Sequence, residues 1–285
     1  MNRLVQNVFM EPWHIQPEAH AAVAGLVINR VMARSDRMAV DTSVPAVAGL
    51  QLSLDDFVQP KPETKMDQNG IAHVPLFGYM AKRVSPIEKS CGVCDTDEMR
   101  ANIAMFKEQG AKGFMFFVNS PGGMALGTPE LAADVAAIDV PTMSFTNEVQ
   151  ASAAYYALAG VDTIVSSGSA NVGSIGTYMP WVDYSEYWEK MGVKWDPVIS
   201  SGSDLKAAGA GPSLSEAHRE YFQERIDELN NEFKGFVSAH RDVDDDTMRG
   251  QVFFGKTAAS KGLVDFVGDY NDAYDTLLGE VRRSR

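Results

Sequence analysis

Cysteine is nearly absent from the 285-residue chain, and its two copies, Cys91 and Cys94, fall in one CxxC, "SCGVCD". A structural zinc site needs two further ligands that no second pair provides. A redox pair would suit the helix start in "DTDEMR" directly after it, but nothing else in the sequence has a thioredoxin-like pattern. Long apolar runs are also missing. The longest near the N-terminus, Ala21 to Ile28, is broken by Asn29 and Arg30, far short of the roughly 20 residues that span a bilayer. An acidic, His-containing stretch precedes it, so it does not read as a secretory signal. Positive charge is scarce: 25 Lys and Arg against 38 Asp and Glu leave a net charge of −13, which argues against a phosphate-binding surface and any nucleic-acid partner. These absences predict a cytosolic chain with no membrane anchor, metal or cofactor.

Residues 1–70 differ from the rest. They offer one helical pattern, Pro17 to Ala33, then a polar stretch ending in "QPKPETKMDQNG" that reads as a linker. This predicts an N-terminal arm over 1–70 and a main domain over 71–285. From Ile71 the punctuation is regular. "IAHVPLFGYMA" reads as a strand region, and "DTDEMRANIAMFKEQG" as a helix capped by Asp95 or Thr96 and stopped at Gly110. "GFMFFV" is a continuous apolar run of the kind buried on both faces of a parallel sheet. Helix "TPELAADVAAI", strand "PTMSFT", helix "SAAYYALAG" and strand "DTIVSS" follow, and the alternation is expected to continue through a helix in "YSEYWEKMG" and a strand in "VKWDPVIS". The class is α/β with a largely parallel sheet flanked by helices. "SLSEAHREYFQERIDELNNEFKGFVSAHR" reads as a long helix, with Ser213 and Glu216 as a capping box and an apolar stripe from Leu214 to Val237.

Two strand ends stand out for chemistry. "NSPGG" (Asn119 to Gly123) follows one apolar strand and "NEVQAS" (Asn147 to Ser152) the next, and ligands of open parallel sheets bind outside such carboxyl ends. Paired glycines turn tightly and expose backbone N–H groups, although "SPGG" also suits a plain turn. Ser152 suits a helix N-cap; at a strand-to-helix junction it also suits a nucleophile, with the Ala153 N–H placed as an oxyanion donor. A serine nucleophile needs a base. Of the five histidines, His14 and His20 lie in the arm and His218 and His240 on the long helix, and His73, in an early strand, leaves a Ser-His-Asp site open. Lysine is the other base used with serine. Lys206 lies in the Gly-, Ala- and Ser-rich "VISSGSDLKAAGAGP", as a base or as a surface lysine. A free lysine is neutral in about one molecule in 2,500 at pH 7, so the role of base requires burial or neighbours to disfavour the charged form. Ser174, between two glycines in "SANVGSIGTY", suits a turn, or a hydroxyl that holds the lysine in position.

Taken together, "NSPGG", "QASAAYY", "NVGSIGTY" and "SSGSDLKAAGAGP", in this order, resemble the signal peptide peptidase A or protease IV family of serine peptidases, which includes the head maturation proteases of tailed bacteriophages. The resemblance runs from about Ile71 to the end, "GQVFFGKTAASKGLVDFVG" being similar to the family's closing helix and strand. It implies a Clp protease/crotonase-like fold and a Ser/Lys dyad: Ser152 as nucleophile, Lys206 as base, Ser174 positioning the lysine, and Gly122, Gly123 and Ala153 forming the oxyanion hole. Two departures are visible. Ala153 and Ala154 stand where the family usually has Gly-Gly, and one extra residue precedes Lys206. The arm resembles that of phage head proteases, which implies a capsid-assembly protease cutting scaffold, portal or capsid proteins, and itself if residues 1–70 are a propeptide, in the host cytoplasm or the prohead. A soluble cellular peptidase of the same family is the alternative; a crotonase-like acyl-CoA enzyme and a non-catalytic capsid assembly protein lie further off. The resemblance also implies a homo-oligomer, and the small residues of the loops suggest small side chains beside the cut bond.

Overall fold

A computed structural model describes residues 12–15, 63–90, 92–211 and 213–284. The helix expected over 17–33, most of the linker before Lys65 and Cys91 lie outside the described residues. In chain order the elements are β1 (Trp13–Ile15), β2 (Lys65–Met66), β3 (Ile71–His73), β4 (Leu76–Phe77), β5 (Met80–Ala81), α1 (Pro86–Ser90), β6 (Cys94–Asp95), α2 (Thr96–Glu108), β7 (Gly113–Asn119), β8 (Gly122–Met124) and α3 (Thr128–Ala136). The order continues with β9 (Thr142–Thr146), β10 (Val149–Ala151), α4 (Ala153–Leu158), β11 (Thr163–Ser166), β12 (Asn171–Gly173), α5 (Ser185–Lys190), α6 (Glu216–His240), β13 (Val252–Phe254), α7 (Gly255–Ser260), β14 (Phe266–Val267) and α8 (Tyr270–Arg283).

The main sheet has the order β14-β11-β9-β7-β3-β2, with β4 also on β7. Every pairing in it is parallel except that of β2 with β3, so the expected α/β class with a largely parallel sheet flanked by helices is what the chain adopts. β7 sits at the centre, and its Phe114 and Phe116 are fully buried, each contributing roughly 2–3 kcal/mol of hydrophobic stabilisation. α2 is capped as expected: the Asp95 carboxylate accepts from the Asp97 N–H, and Gly110 takes a left-handed φ of 76° just beyond the helix. Met99, Ile103 and Phe106, spaced at helical intervals, are the face that α2 buries.

β7 and β9 are each followed by a short strand and then a helix: β7-β8-α3 and β9-β10-α4. The short strands belong to two small sheets, β1-β8-β5-β6 and β10-β12-β13, and are bridged at Ser120 and Gln150. Stacking these units brings the β8 turn and the start of α4 side by side, which positions the site described below.

Two expectations are corrected. "VKWDPVIS" forms no strand: residues 193–200 have no regular structure, Val198 and Trp195 are exposed, and Gly192 and Pro197 break both helix and ladder. The long helix starts later than the capping box at Ser213 and Glu216 requires. Its cap is Ser215, whose hydroxyl accepts from the His218 N–H, and of the apolar stripe only Phe233 and Val237 are buried. No helix among the described residues is long and apolar enough to cross a membrane.

The far end of α6 is tied to the element that follows Ser152. The Arg241 guanidinium, 7% exposed, donates to the Ala159 carbonyl at 2.8 Å, to the Val161 carbonyl and to the Asp265 carboxylate at 2.8 Å. Arg241→Ala leaves two carbonyls and a carboxylate without that donor, and is expected to destabilise the fold by about 3 kcal/mol. Urea unfolding of the two proteins measures this, and a loss below 1 kcal/mol would contradict the bridging role.

Candidate active site

The strand end after β7 turns at Ser120 and Pro121 into two glycines with little freedom to be anything else. A Cβ on Gly123 would lie 2.0 Å from the Met80 carbonyl oxygen. One on Gly122, whose φ is 104°, would lie 2.2 Å from the His14 carbonyl oxygen, 2.9 Å from the Ala153 nitrogen and 2.9 Å from the Ser152 Cβ. Three atoms of the site thus lie within 2.9 Å of one point that only a glycine leaves open. The Gly122 N–H is satisfied by the Ser120 hydroxyl at 3.2 Å.

Ser152 sits between β10 and α4. It occupies the N-cap position but its hydroxyl caps nothing, and its backbone is at φ 53°, ψ −120°. Such a conformation costs a non-glycine residue roughly 1–3 kcal/mol and persists only where the surroundings enforce it. They do so here: the Ser152 N–H donates to the Gly173 carbonyl at 2.8 Å, and its carbonyl accepts from the Tyr156 N–H at 2.8 Å. The side chain is buried, and its Oγ has no hydrogen-bond partner among the described residues. A strained serine on a tight strand-to-helix turn, with its hydroxyl uncommitted, is the arrangement that projects a nucleophile.

Ser174 comes to the same place. β10 pairs in parallel with β12, Ala151 opposite Gly173, so the residues that follow these two strands are neighbours. Ser174 is nearly buried, at φ 54°, and its N–H donates to the Gln251 carbonyl at 2.6 Å. Gly122, Gly123, Ser152, Ala153 and Ser174 therefore converge. Lys206 differs from them in being exposed. It lies on a short 3-10 turn, 204–207, whose last residue, Ala207, lines an apolar cleft together with Trp188, Trp195, Ile199 and His218. His73 is engaged elsewhere, at 3.2 Å from both the Asp67 carboxylate and the Tyr270 hydroxyl.

The residue that sequence reasoning assigned away from the crevice is His14. β1 runs antiparallel to β8 in the register Trp13 to Met124, His14 to Gly123 and Ile15 to Gly122. On its other side Trp13 exchanges both backbone bonds with Tyr178, at 2.9 and 3.1 Å. The His14 ring is fully buried against Tyr156 and Phe233, with centroids at 5.8 and 5.0 Å, and its Nδ1 lies 3.0 Å from the Thr177 hydroxyl. Its Nε2 and the Ser152 Oγ each lack a partner among the described residues, so the two are not bonded to one another.

Burial pushes the His14 imidazole down from 6.5 to about 4. Between these values the unfolded chain binds a proton that the folded one does not. The stabilisation is complete above pH 6.5 and is lost as the pH falls through about 4, an effect of about 3 kcal/mol. Unfolding free energies at pH 7 and pH 4 should show it in the parent and not in His14→Phe. An equal pH dependence in the two would place its origin elsewhere.

An α/β chain that brings a strained serine on a strand-to-helix turn beside a pair of glycines has the framework of a serine hydrolase. The match to a family model extends over residues 136–282, by the description "Peptidase family S49", and the chain belongs to that family. The matched span contains Ser152, Ser174 and Lys206. The chain is 31% identical over 183 residues to a protein of Enterococcus faecium named as a candidate signal peptide peptidase SppA, covering 62% of this chain and 53% of that one. It is 26% identical over 292 residues to capsid assembly protease C of Escherichia phage lambda, covering 97% of this chain and 66% of that one. It thus spans between half and two thirds of the length of these curated relatives. Among solved structures it is similar to a ClpP1 mutant from Listeria monocytogenes, with a TM-score of 0.48 and 12% identity, covering 70% of this chain and 93% of that one.

Proposed function

We propose that the chain is a serine endopeptidase that hydrolyses peptide bonds with a Ser/Lys dyad. The observation that carries this reading is Ser152: strained, buried, uncapping, and beside the Gly122–Gly123 turn. In the first step the Ser152 Oγ attacks the peptide carbonyl while neutral Lys206 takes its proton. The oxyanion is held by the Gly123 and Ala153 N–H groups, the amine leaves with the proton, and water deacylates the serine by the reverse proton path. In this reading the Ser174 hydroxyl holds the lysine amine. The dyad forms only when the loop carrying Lys206 is brought over Ser152.

The similarity to the phage lambda capsid assembly protease, which extends over nearly the whole of this chain, supports a head-assembly role, with scaffold, portal or capsid proteins and the arm itself as substrates and a homo-oligomer as the working form. In Lys206→Met, peptide hydrolysis should fall by about 10²–10⁴-fold, the usual size of a general-base contribution, with the circular dichroism spectrum unchanged. Activity within twofold of the parent would remove Lys206 from the mechanism and leave the serine's base to be sought elsewhere.

A further inference from the structure

We infer that the segment Pro12–Ile15 is an intramolecular occupant of the substrate groove, lying in it as a peptide strand with the His14 carbonyl at the reacting position and the His14 ring in the pocket that selects the residue before the cut bond. This rests on the peptidase reading above. Three observations meet in it. β1 is paired along its length with β8 on one side and held at Trp13 by Tyr178 on the other, and an extended peptide added to a sheet edge is the mode by which backbone bonds supply affinity and side-chain pockets supply specificity. The carbonyl directions alternate along a strand. The Pro12 carbonyl accepts from the Ala125 N–H at 3.2 Å, so the His14 carbonyl, two residues on, faces Gly123, its partner in register. That oxygen shares with the Ala153 nitrogen and the Ser152 Cβ the point that a Gly122 side chain would occupy.

All three residues of β1 are buried, so no second peptide strand fits while β1 is in place. The arm therefore competes with every external substrate, and access to Ser152 requires its departure. The pocket under His14 is walled by the Tyr156 and Phe233 rings, which stack on each other at 4.5 Å. It suits a planar, uncharged ring rather than the small side chain that the loop composition suggests.

The test uses the full chain with a thrombin site in place of residues 59–61, so that the arm is released after folding. The rate at which a fluorophosphonate labels Ser152 should rise at least tenfold after the cut, and likewise in the uncut His14→Asp variant, while His14→Phe stays near the parent. Amide exchange at Gly123 and Ala125 should be slow before the cut and fast after it. After release, a peptide with Phe before the cleaved bond should be hydrolysed faster than one with Ala. Equal labelling before and after the cut, with unchanged exchange, would overturn the inference. If no protein is labelled or cleaves peptide, the peptidase reading fails, while the exchange data still decide whether the strand fills the groove.

Discussion

Ser152→Ala will cleave no peptide measurably, with kcat/KM down by about 10⁴–10⁶-fold, and will melt within a few degrees of the parent. The side chain removed bonds to nothing among the described residues, so its loss has little structural consequence. The backbone around it is where the stability sits. At φ 53°, ψ −120° any residue with a Cβ is strained, and Ser152→Gly should therefore raise stability by about 1–2 kcal/mol while cleaving no better than the alanine variant. A protein made more stable and inactive by one substitution is the signature of a strained functional residue. Thermal unfolding beside a peptide-hydrolysis assay reads both quantities. A glycine variant less stable than the parent would show that the turn is held for packing instead.

The second large effect is expected at Gly123→Ala. The added carbon would stand 2.0 Å from the Met80 carbonyl oxygen and 2.5 Å from the Met80 nitrogen. These are backbone atoms of a paired strand and cannot swing aside as a side chain can, so β5 and β8 must separate. Overpacking of this kind costs roughly 1–3 kcal/mol or more. The same movement withdraws the Gly123 N–H from the oxyanion, a loss of about 10²–10³-fold in kcat. The activity loss should therefore exceed what the fraction unfolded explains, and should appear in kcat more than in KM. Loss in KM alone would assign Gly123 to binding rather than to charge stabilisation.

What the sequence revealed, and what it did not, follows from how local each signal is. The β7 run and the Asp95 cap of α2 are decided within a few residues of chain, and both are legible. Ser152 was legible as a serine at a strand-to-helix junction, with its two roles undecided. The positive φ that separates a cap from a nucleophile arises from the Gly173 and Tyr156 bonds, which no local pattern displays. Val193–Ser200 misled because apolar residues in an exposed loop have the same composition as a strand. β1 was missed for the opposite reason. Trp13–Ile15 pairs with residues more than a hundred positions away, and three residues are too few to carry a periodicity. Lys206 is a case where the motif order and the geometry part: its segment is recognisable in sequence, yet the turn that bears it faces solvent.

The mechanism stands or falls on Ser152 Oγ as the nucleophile of a peptidase site. Tandem mass spectrometry of the arm-released protein after reaction with a fluorophosphonate tests it most directly. One adduct per chain is expected, mapped to Ser152 and absent from Ser152→Ala, with peptide hydrolysis falling in proportion to the labelled fraction. Undiminished hydrolysis by a fully labelled protein, or an adduct on another residue that alone accounts for the inactivation, would contradict it.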